Sequence, residues 1–251
     1  MVAERAAHDD DLPDIALRLG DGRTLQLPCK RHPRARRIKL SVDERGPRLT
    51  LPLRASLRTA ERFAQDHVAW LETQIAHLAV DAREPLRAGV TTTLPLRGEW
   101  LPVRWVAGRV NRVTLADGEL LFEQRGNSDS AVRRALRDFY EAQARADLAA
   151  WLPKYVGALP RQPSRIVLRK MSSQWGSLAP SGVVSLDLSL VLARPSAFEY
   201  VLVHELCHLI RADHSPAFWR EVQARCPHWR RERTYFHAEG RALKARLRVL
   251  T

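Results

Sequence analysis

Alternating apolar and polar residues dominate the first half of the chain, and this period-two pattern predicts β-strands. Within this half, apolar residues recur at helical spacing between Leu57 and Leu78, where Ser56 supplies an N-cap. We therefore predict a β-rich region over 14–126 that contains one helix. Its predicted strands are Ile15–Leu19, Thr24–Leu27, Arg37–Val42, Arg48–Leu53, Thr91–Leu96, Leu101–Val106, Arg112–Leu115 and Leu120–Glu123.

From about Ser128 the apolar spacing becomes helical, and strands and helices then follow one another closely. Because their connections are mostly of hairpin length, we predict an α+β fold with a second region over 127–251. No internal repeat is visible, and the polar segment 1–13 is expected to form a flexible tail. The predicted elements after Ser128 are a helix to Trp151, strands Arg165–Lys170 and Val183–Leu188, and helices near 197–211, 216–225 and 229–247.

The chain carries a large positive charge. Its 251 residues include 41 Lys and Arg against 28 Asp and Glu, a formal net charge of +13. Such a charge is typical of proteins that bind nucleic acids, nucleotides or anionic membranes. However, 36 of the basic residues are arginine, and this bias is also typical of a GC-rich genome. The charge alone therefore leaves the partner open.

The cysteines and the apolar runs predict the compartment. Cys29, Cys207 and Cys226 form no Cys-x-x-Cys pair, and their odd number disfavours a disulfide framework. No apolar run approaches the length of a transmembrane helix, so we expect no membrane partner. The segment 1–13 lacks the apolar stretch of a signal peptide. We therefore predict a cytoplasmic protein.

The chemically informative segment is His204-Glu205-Leu206-Cys207-His208. Pro195, together with a capping box of Ser196 and Glu199, indicates the start of its helix. Residues four apart lie about 40° apart on one helical face, so both imidazoles can reach one tetrahedral Zn²⁺. Glu205 lies within the same arc, beside the metal, where it can take a proton from a metal-activated water. The motif therefore predicts a zinc site with Glu205 as general base.

A catalytic zinc site needs a third protein ligand and one open position. His214 is the best candidate, because it lies six residues after His208 at a corner of the chain. Ser215 and Pro216 look like the N-cap and first residue of the next helix. The spacing matches the metzincin pattern, except that Arg211 stands where that pattern has glycine. The rival third ligands are Glu221, His228 and His237.

These residues resemble the YgjP-like metallopeptidase family of zincins over about residues 30–248. The family segment R-W-G-S-C is similar to Gln174-Trp175-Gly176-Ser177-Leu178, and the strand G-x-I-x-L-N is similar to Gly182–Asp187. The family segment Y-V-x-x-H-E-L-C-H-L resembles Tyr200–Leu209, and N-H-S-x-x-F-W is similar to Asp213–Trp219.

The resemblance implies a zincin-like catalytic half, in which an active-site helix packs on a small sheet. It also implies Zn²⁺ as cofactor and a peptide or protein as substrate, and it supports His214 as third ligand and Glu205 as base. The residues that it places at the substrate cleft are Trp175, Gly176, Ser177 and Asp187. The chain departs from the family pattern at Gln174, Leu178, Asp187 and Asp213. Because the arginine at 174 is lost, the family's substrate class need not transfer.

The leading hypothesis is zinc-dependent hydrolysis of a peptide bond, with the substrate paired along Val183–Leu188. The first alternative is a metal-dependent nucleotide or phosphate-ester hydrolase, because arginines neutralise phosphate. The second is a nucleic-acid-associated module with a protease site. The basic clusters behind both alternatives are Lys30, Arg31, Arg34, Arg36, Arg37 and Lys39, and then Arg230, Arg231 and Arg233. The oxyanion donor stays open among Tyr200, Tyr235, His237 and Arg211.

Overall fold

The first four strands form one mixed sheet. A computed structural model of the chain describes residues 11–43, 46–81, 85–126 and 128–251. Its first elements are β1 (Asp11–Arg18), β2 (Thr24–Arg31), β3 (Lys39–Asp43), β4 (Gly46–Leu51), α1 (Leu57–Asp66) and α2 (Val68–Asp81). The sheet order is β1-β2-β4-β3, with β2 and β4 parallel and the other neighbours antiparallel. Leu27, Leu49 and Leu51 are fully buried in one core with Ala60 and Ala64 of α1.

Two predictions for this part of the chain are wrong in detail. β1 begins at Asp11, so the last residues of the expected tail 1–13 belong to a strand, and residues 1–10 lie outside the described residues. The single predicted helix is two helices, because α1 ends at His67. The His67 ring hydrogen-bonds the carbonyl of Phe63 over 2.8 Å, and its backbone N–H donates to Ala64. These two contacts end the helix about three turns before the apolar pattern stops at Leu78.

A second four-stranded sheet has the same topology as the first. Its strands are β5 (Thr93–Leu96), β6 (Glu99–Ala107), β7 (Arg112–Ala116) and β8 (Glu119–Gln124). Their order is β5-β6-β8-β7, again with the second and fourth strands parallel and the other neighbours antiparallel. The amino-acid sequence shows no internal repeat, yet the strand order of the first sheet recurs in the second. Topology can recur without sequence similarity because pairing uses backbone groups.

The remaining elements build the part of the chain that holds the site. They are α3 (Asp129–Trp151), α4 (Pro153–Val156), β9 (Arg165–Arg169), β10 (Gly176–Leu178), β11 (Val183–Asp187), a 3₁₀ helix (Leu188–Leu192), α5 (Pro195–Cys207), α6 (Pro216–Arg225) and α7 (Trp229–Leu250). The small sheet has the order β10-β11-β9, with β10 antiparallel and β9 parallel to β11. Helix α5 packs on this sheet, so the predicted α+β fold is confirmed.

The chain divides into two compact units, Met1–Asp81 and Ala82–Thr251. This division differs from the predicted boundary between 126 and 127, because the second sheet shares its core with the later helices. The Tyr140 hydroxyl donates to the carbonyl of Pro95 over 2.8 Å, and Arg97 pairs with Asp147 over 2.8 Å. Pattern and composition change near 126, but packing joins the elements on both sides of that point.

The start of α5 also differs from its prediction. The helix begins at Pro195 after Arg194, which makes no side-chain cap. Glu199 does not close a capping box with Ser196; its carboxylate instead accepts hydrogen bonds from Lys154 and Tyr155, over 3.0 and 2.8 Å. Within the described parts of the chain, no helix is both long and apolar enough to span a membrane.

Candidate metal centre and active-site cavity

Three histidines meet where α5 ends and α6 begins. His204 lies in the last turn of α5, and His208 is the residue that ends this helix. The chain then turns back, and Ser215 caps α6 by accepting a hydrogen bond from the backbone of Phe218 over 3.4 Å. This corner brings His214 next to the other two rings. One ring nitrogen from each of the three lies within 4.8 Å of the others.

The triad offers lone pairs to a cation. Burial, reinforced by the neighbouring imidazoles of His208 and His214, lowers the pKa of His204 to about 3. Burial also lowers the pKa of His208, whose Nδ1 lies 3.0 Å from the carbonyl of Arg211. If Nδ1 of His208 carries the ring proton and donates it to this carbonyl, Nε2 of His208 keeps its lone pair for a metal. The chain therefore keeps these imidazoles neutral, which is the form that binds metals.

The approach of two histidines provides a test of fit for a metal. Nε2 of His204 lies 3.1 Å from Nε2 of His214, close enough for the two nitrogens to share one proton or to face one cation. In addition, Nδ1 of His204 is buried with no hydrogen-bond partner among the described residues. The approach of the two Nε2 atoms fits a divalent cation among the three rings.

Aromatic side chains fix the rotamers of the triad. The His208 ring stacks on Phe218, with ring centroids 4.5 Å apart and planes 25° apart. Phe218 is fully buried and also contacts the edges of His204 and His214. Trp219 closes the other side, 5.7 Å from the centroid of His204. The rings are therefore held in place before any cation arrives.

Glu205 follows His204 on α5 and is almost completely buried. Burial alone raises the pKa of its carboxyl group to about 7. Its side chain lies against the backbone of Gly176 in β10. A Cβ atom at position 176 would lie 2.5 Å from Cγ and 2.6 Å from Oε1 of Glu205, so a glycine is required for this contact.

The triad and Glu205 line one cavity of about 760 Å³. Strand β10 forms one wall and is an edge strand, because β11 pairs with it on one side only. We predict from the sequence that the substrate pairs along Val183–Leu188, and this prediction is wrong. That segment contains β11, the central strand, whose two sides are already paired with β9 and β10. The cavity is lined by Arg161, Gln174, Trp175, Gly176, Ser177, Leu178, Ala179, Pro180, Tyr200, Val201, His204, Glu205, His208, Ala212, His214, Arg233, Phe236 and His237.

Three of the four residues predicted at the substrate cleft line the cavity: Trp175, Gly176 and Ser177. Asp187 does not. It is 2% exposed and pairs with the ammonium group of Lys244 over 2.9 Å. Its carboxylate also accepts hydrogen bonds from the backbone N–H groups of Met171 and Ser189, over 2.7 and 2.8 Å, and from the Ser189 hydroxyl. Asp187 is therefore a buried structural centre and not a substrate-facing group.

Lys244 supports the wall of the cavity, and sequence reasoning missed it. Its ammonium group donates to the carbonyls of Met171 and Gln174, each over 2.8 Å, and lies 4.5 Å from the ring centroid of Trp175. Trp175 also packs against Gly240, where a Cβ would lie 2.7 Å from the indole. The one signal in the sequence that could have singled out Lys244 is composition, because the chain has only five lysines and 36 arginines.

The other candidate third ligands do not lie with the three histidines. Glu221 pairs with Arg225 over 2.7 Å, and His228 precedes the first turn of α7; neither lines the cavity. His237 lines the cavity but is not part of the histidine group. Of the candidate oxyanion donors, Tyr200 and His237 line the cavity, whereas Tyr235 and Arg211 do not.

Comparison with known protein families identifies the family to which this sequence belongs. The model of the YgjP-like metallopeptidase domain matches residues 36–239, well over half of the chain. The chain belongs to the YgjP-like metallopeptidase family. A solved structure, the metallopeptidase zymogen abylysin of Pyrococcus abyssi, is similar at 21% sequence identity over 40% of this chain and 93% of that chain, with a TM-score of 0.32. No curated protein matches the chain.

Membership of the YgjP-like family makes the chain a metallopeptidase and so a hydrolase that uses a metal ion. The matched range contains the triad, Glu205 and β10. It ends at Glu239, so Gly240 and Lys244, which hold Trp175, lie just beyond it.

Proposed function

We propose that the chain is a zinc-dependent metallopeptidase in which His204, His208 and His214 hold the metal and Glu205 is the general base. The observation that carries this proposal is the convergence of the three imidazoles and one buried carboxylate on a single cavity. Zinc is the metal of choice because three neutral imidazoles with one open position are a common catalytic zinc ligand set. The free cysteines are compatible with the predicted cytoplasmic location.

Each side chain then has a defined task. A bound zinc ion supplies Lewis acidity, which polarises the scissile carbonyl and acidifies water. Glu205 accepts the proton of the attacking water on its carboxylate and passes it to the nitrogen of the leaving amine. The Gly176 backbone against Glu205 limits where that carboxylate can lie. Tyr200 and His237 are the two candidates for stabilising the oxyanion.

We further propose that the peptide substrate adds a strand to β10. Trp175 accepts a hydrogen bond from the N–H of Asp187, and Ala179 donates to Val183, so both point toward β11. Backbone groups alternate along a strand, so those of Gly176 and Leu178 point away from β11. An extended peptide can pair with these free groups, as in other strand-addition complexes. Such pairing would bring its carbonyl groups past Glu205.

The two alternatives receive different support. The match to a metallopeptidase family gives no support to a nucleic-acid module, and we do not propose one. A phosphate-ester hydrolase could use the arginines of the cavity, so phosphate esters belong in the assay as a competing substrate class.

The deciding experiment compares the wild-type chain with Glu205→Gln and a matched control, Glu239→Gln, which changes an exposed residue outside the cavity. All three should bind about one zinc per chain, measured by metal analysis. The wild type and Glu239→Gln should cleave peptides, and Glu205→Gln should not. Failure of the wild type to bind zinc, or equal turnover by Glu205→Gln, contradicts the proposal. Turnover of nucleoside triphosphates but not peptides supports the alternative.

A further inference from the structure

Two arginines line the cavity without an acidic partner among the described residues. Arg161 and Arg233 are both exposed, and neither makes an ion pair with the described Asp and Glu side chains. By contrast, Arg194, which precedes α5, pairs with Glu232 of α7 over 2.9 Å. Glu205 is the one acidic residue among the lining residues, and it is buried. The two arginines outnumber the one glutamate, so the lining of the cavity carries a net positive charge.

Arg233 stands close to the histidine triad. It lies on α7, and its guanidinium group is 5.7 Å from the ring centroid of Trp219, which itself packs beside His204. Arg233 also lines the same cavity as the three histidines and Tyr200. The charge of Arg233 therefore acts at the place where a substrate would meet the candidate metal site.

Arg161 stands at the far end of β10. Three residues later, the backbone N–H of Ser164 donates to the carbonyl of Gly182, in the turn between β10 and β11. This contact brings the segment before β9 to the same turn as Ala179 and Pro180, which line the cavity with Arg161. A peptide strand along β10 would therefore pass both arginines.

We propose that this peptidase selects acidic peptides, whose Asp or Glu carboxylates on either side of the scissile bond bind Arg161 and Arg233. This inference rests on the proposed peptidase function. Guanidinium groups pair with carboxylates through two parallel hydrogen bonds, and a concave positive surface concentrates anionic substrates. A carboxylate is the anion that a peptide itself supplies, so it fits the metallopeptidase family better than phosphate does.

The test uses the full-length, zinc-loaded chain. A proteome-derived peptide library, analysed by mass spectrometry, should give cleavage sites enriched in Asp and Glu within three residues of the cut. One cleaved peptide is then made in three forms, with its acidic residue as Glu, Gln or Lys. The wild type should prefer Glu to Gln by about tenfold or more in kcat/KM, as expected for a charge-assisted hydrogen bond. High salt should reduce this ratio.

Variants then assign the preference to the two arginines. Arg233→Gln and Arg161→Gln should each lower the Glu-to-Gln ratio, and the double variant should bring it near one. Arg233→Glu should favour the Lys peptide. Arg231→Gln is the matched control, because Arg231 lies on the same helix, is exposed and does not line the cavity. The control should retain the wild-type ratio.

A binding assay separates failure of this inference from failure of the proposed function. Zinc-loaded Glu205→Gln is titrated with the labelled Glu and Gln peptides, with and without Arg233→Gln. Peptide cleavage with no acidic preference overturns the inference and leaves the peptidase. Arginine-dependent binding of the acidic peptide by a chain that cleaves no peptide keeps the inference on recognition and overturns the function. Tight binding of inorganic phosphate, with no preference for acidic peptides, overturns the inference in favour of phosphate-bearing ligands.

Discussion

At the scale of single residues, the absence of a side chain at Gly176 governs the position of Glu205. We predict that Gly176→Ala lowers kcat by about a hundredfold, the penalty for moving a reacting group by about 1 Å. The added methyl group displaces the carboxylate, because it would overlap Cγ, Cδ and Oε1. Zinc content, measured alongside kcat, should not change.

The matched control for Gly176→Ala is Gly157→Ala, since a Cβ at position 157 meets nothing within 4 Å. This variant should keep the wild-type kcat. A Gly176→Ala enzyme with normal turnover would show that the contact with Glu205 has no catalytic consequence.

The buried pair of Lys244 and Asp187 gives a second prediction at this scale. Lys244→Met leaves the Asp187 carboxylate buried without its counter-charge, so the free energy of unfolding should fall by roughly 3–5 kcal/mol. Urea unfolding followed by tryptophan fluorescence measures this loss. Lys154→Met is the control, because Lys154 is exposed and its partner Glu199 keeps the hydrogen bond from Tyr155, so this pair should contribute roughly 0–1 kcal/mol. Equal losses for the two variants would contradict the argument.

The sequence predicts the three histidines of the candidate metal site but misses the residues that support the cavity wall, for a physical reason. The spacing of His204 and His208 is a property of one helix, and His214 lies at a corner that Ser215 and Pro216 indicate in the sequence. The bond between Lys244 and Asp187 joins residues 57 positions apart. No local pattern contains such a pair, so Asp187 looks like a cleft residue until the fold is known.

At the scale of secondary-structure elements, β10 is the strand to which we propose that the peptide substrate pairs. We predict that Leu178→Pro raises KM and lowers kcat/KM by about tenfold, because it removes one N–H that points away from β11. Bonds between β10 and β11 should survive, since proline is tolerated on the free side of an edge strand. Steady-state kinetics on one peptide measures the change.

Leu178→Ala separates the backbone effect from the side-chain effect, because it keeps the N–H. If Leu178→Ala and Leu178→Pro raise KM equally, the substrate does not pair with the backbone of β10. The sequence could not identify this strand, since three residues are too few for an alternating pattern. The longer and more apolar β11 looked like the substrate strand, but only the sheet order tells the edge from the centre.

At the scale of the whole molecule, the unit Ala82–Thr251 contains every residue that lines the cavity. We predict that this unit, produced alone, binds about one zinc per chain and unfolds cooperatively, because it has its own hydrophobic core. Metal analysis and thermal unfolding check this. The same fragment with His204→Ala and His208→Ala should bind no zinc. A fragment that aggregates, or that binds zinc without the two histidines, would contradict the prediction.

The α+β fold and the order of most elements follow from local periodicity, but the division of the chain does not. Tyr140 and Pro95 join α3 to the second sheet across the predicted boundary. The net charge of +13 likewise sums residues from both units. Only the fold shows that two of the arginines, Arg161 and Arg233, line the cavity.

The hydrogen bonds from Lys244 to the carbonyls of Met171 and Gln174 join parts of the chain that are synthesised at different times. A ribosome makes the three histidines and Glu205 before it makes α7, so a nascent chain contains the candidate metal ligands before it contains Lys244. The wall around Trp175 is completed only when α7 emerges and packs. We therefore expect the support of the cavity wall to form last, after the histidines and Glu205 have been synthesised.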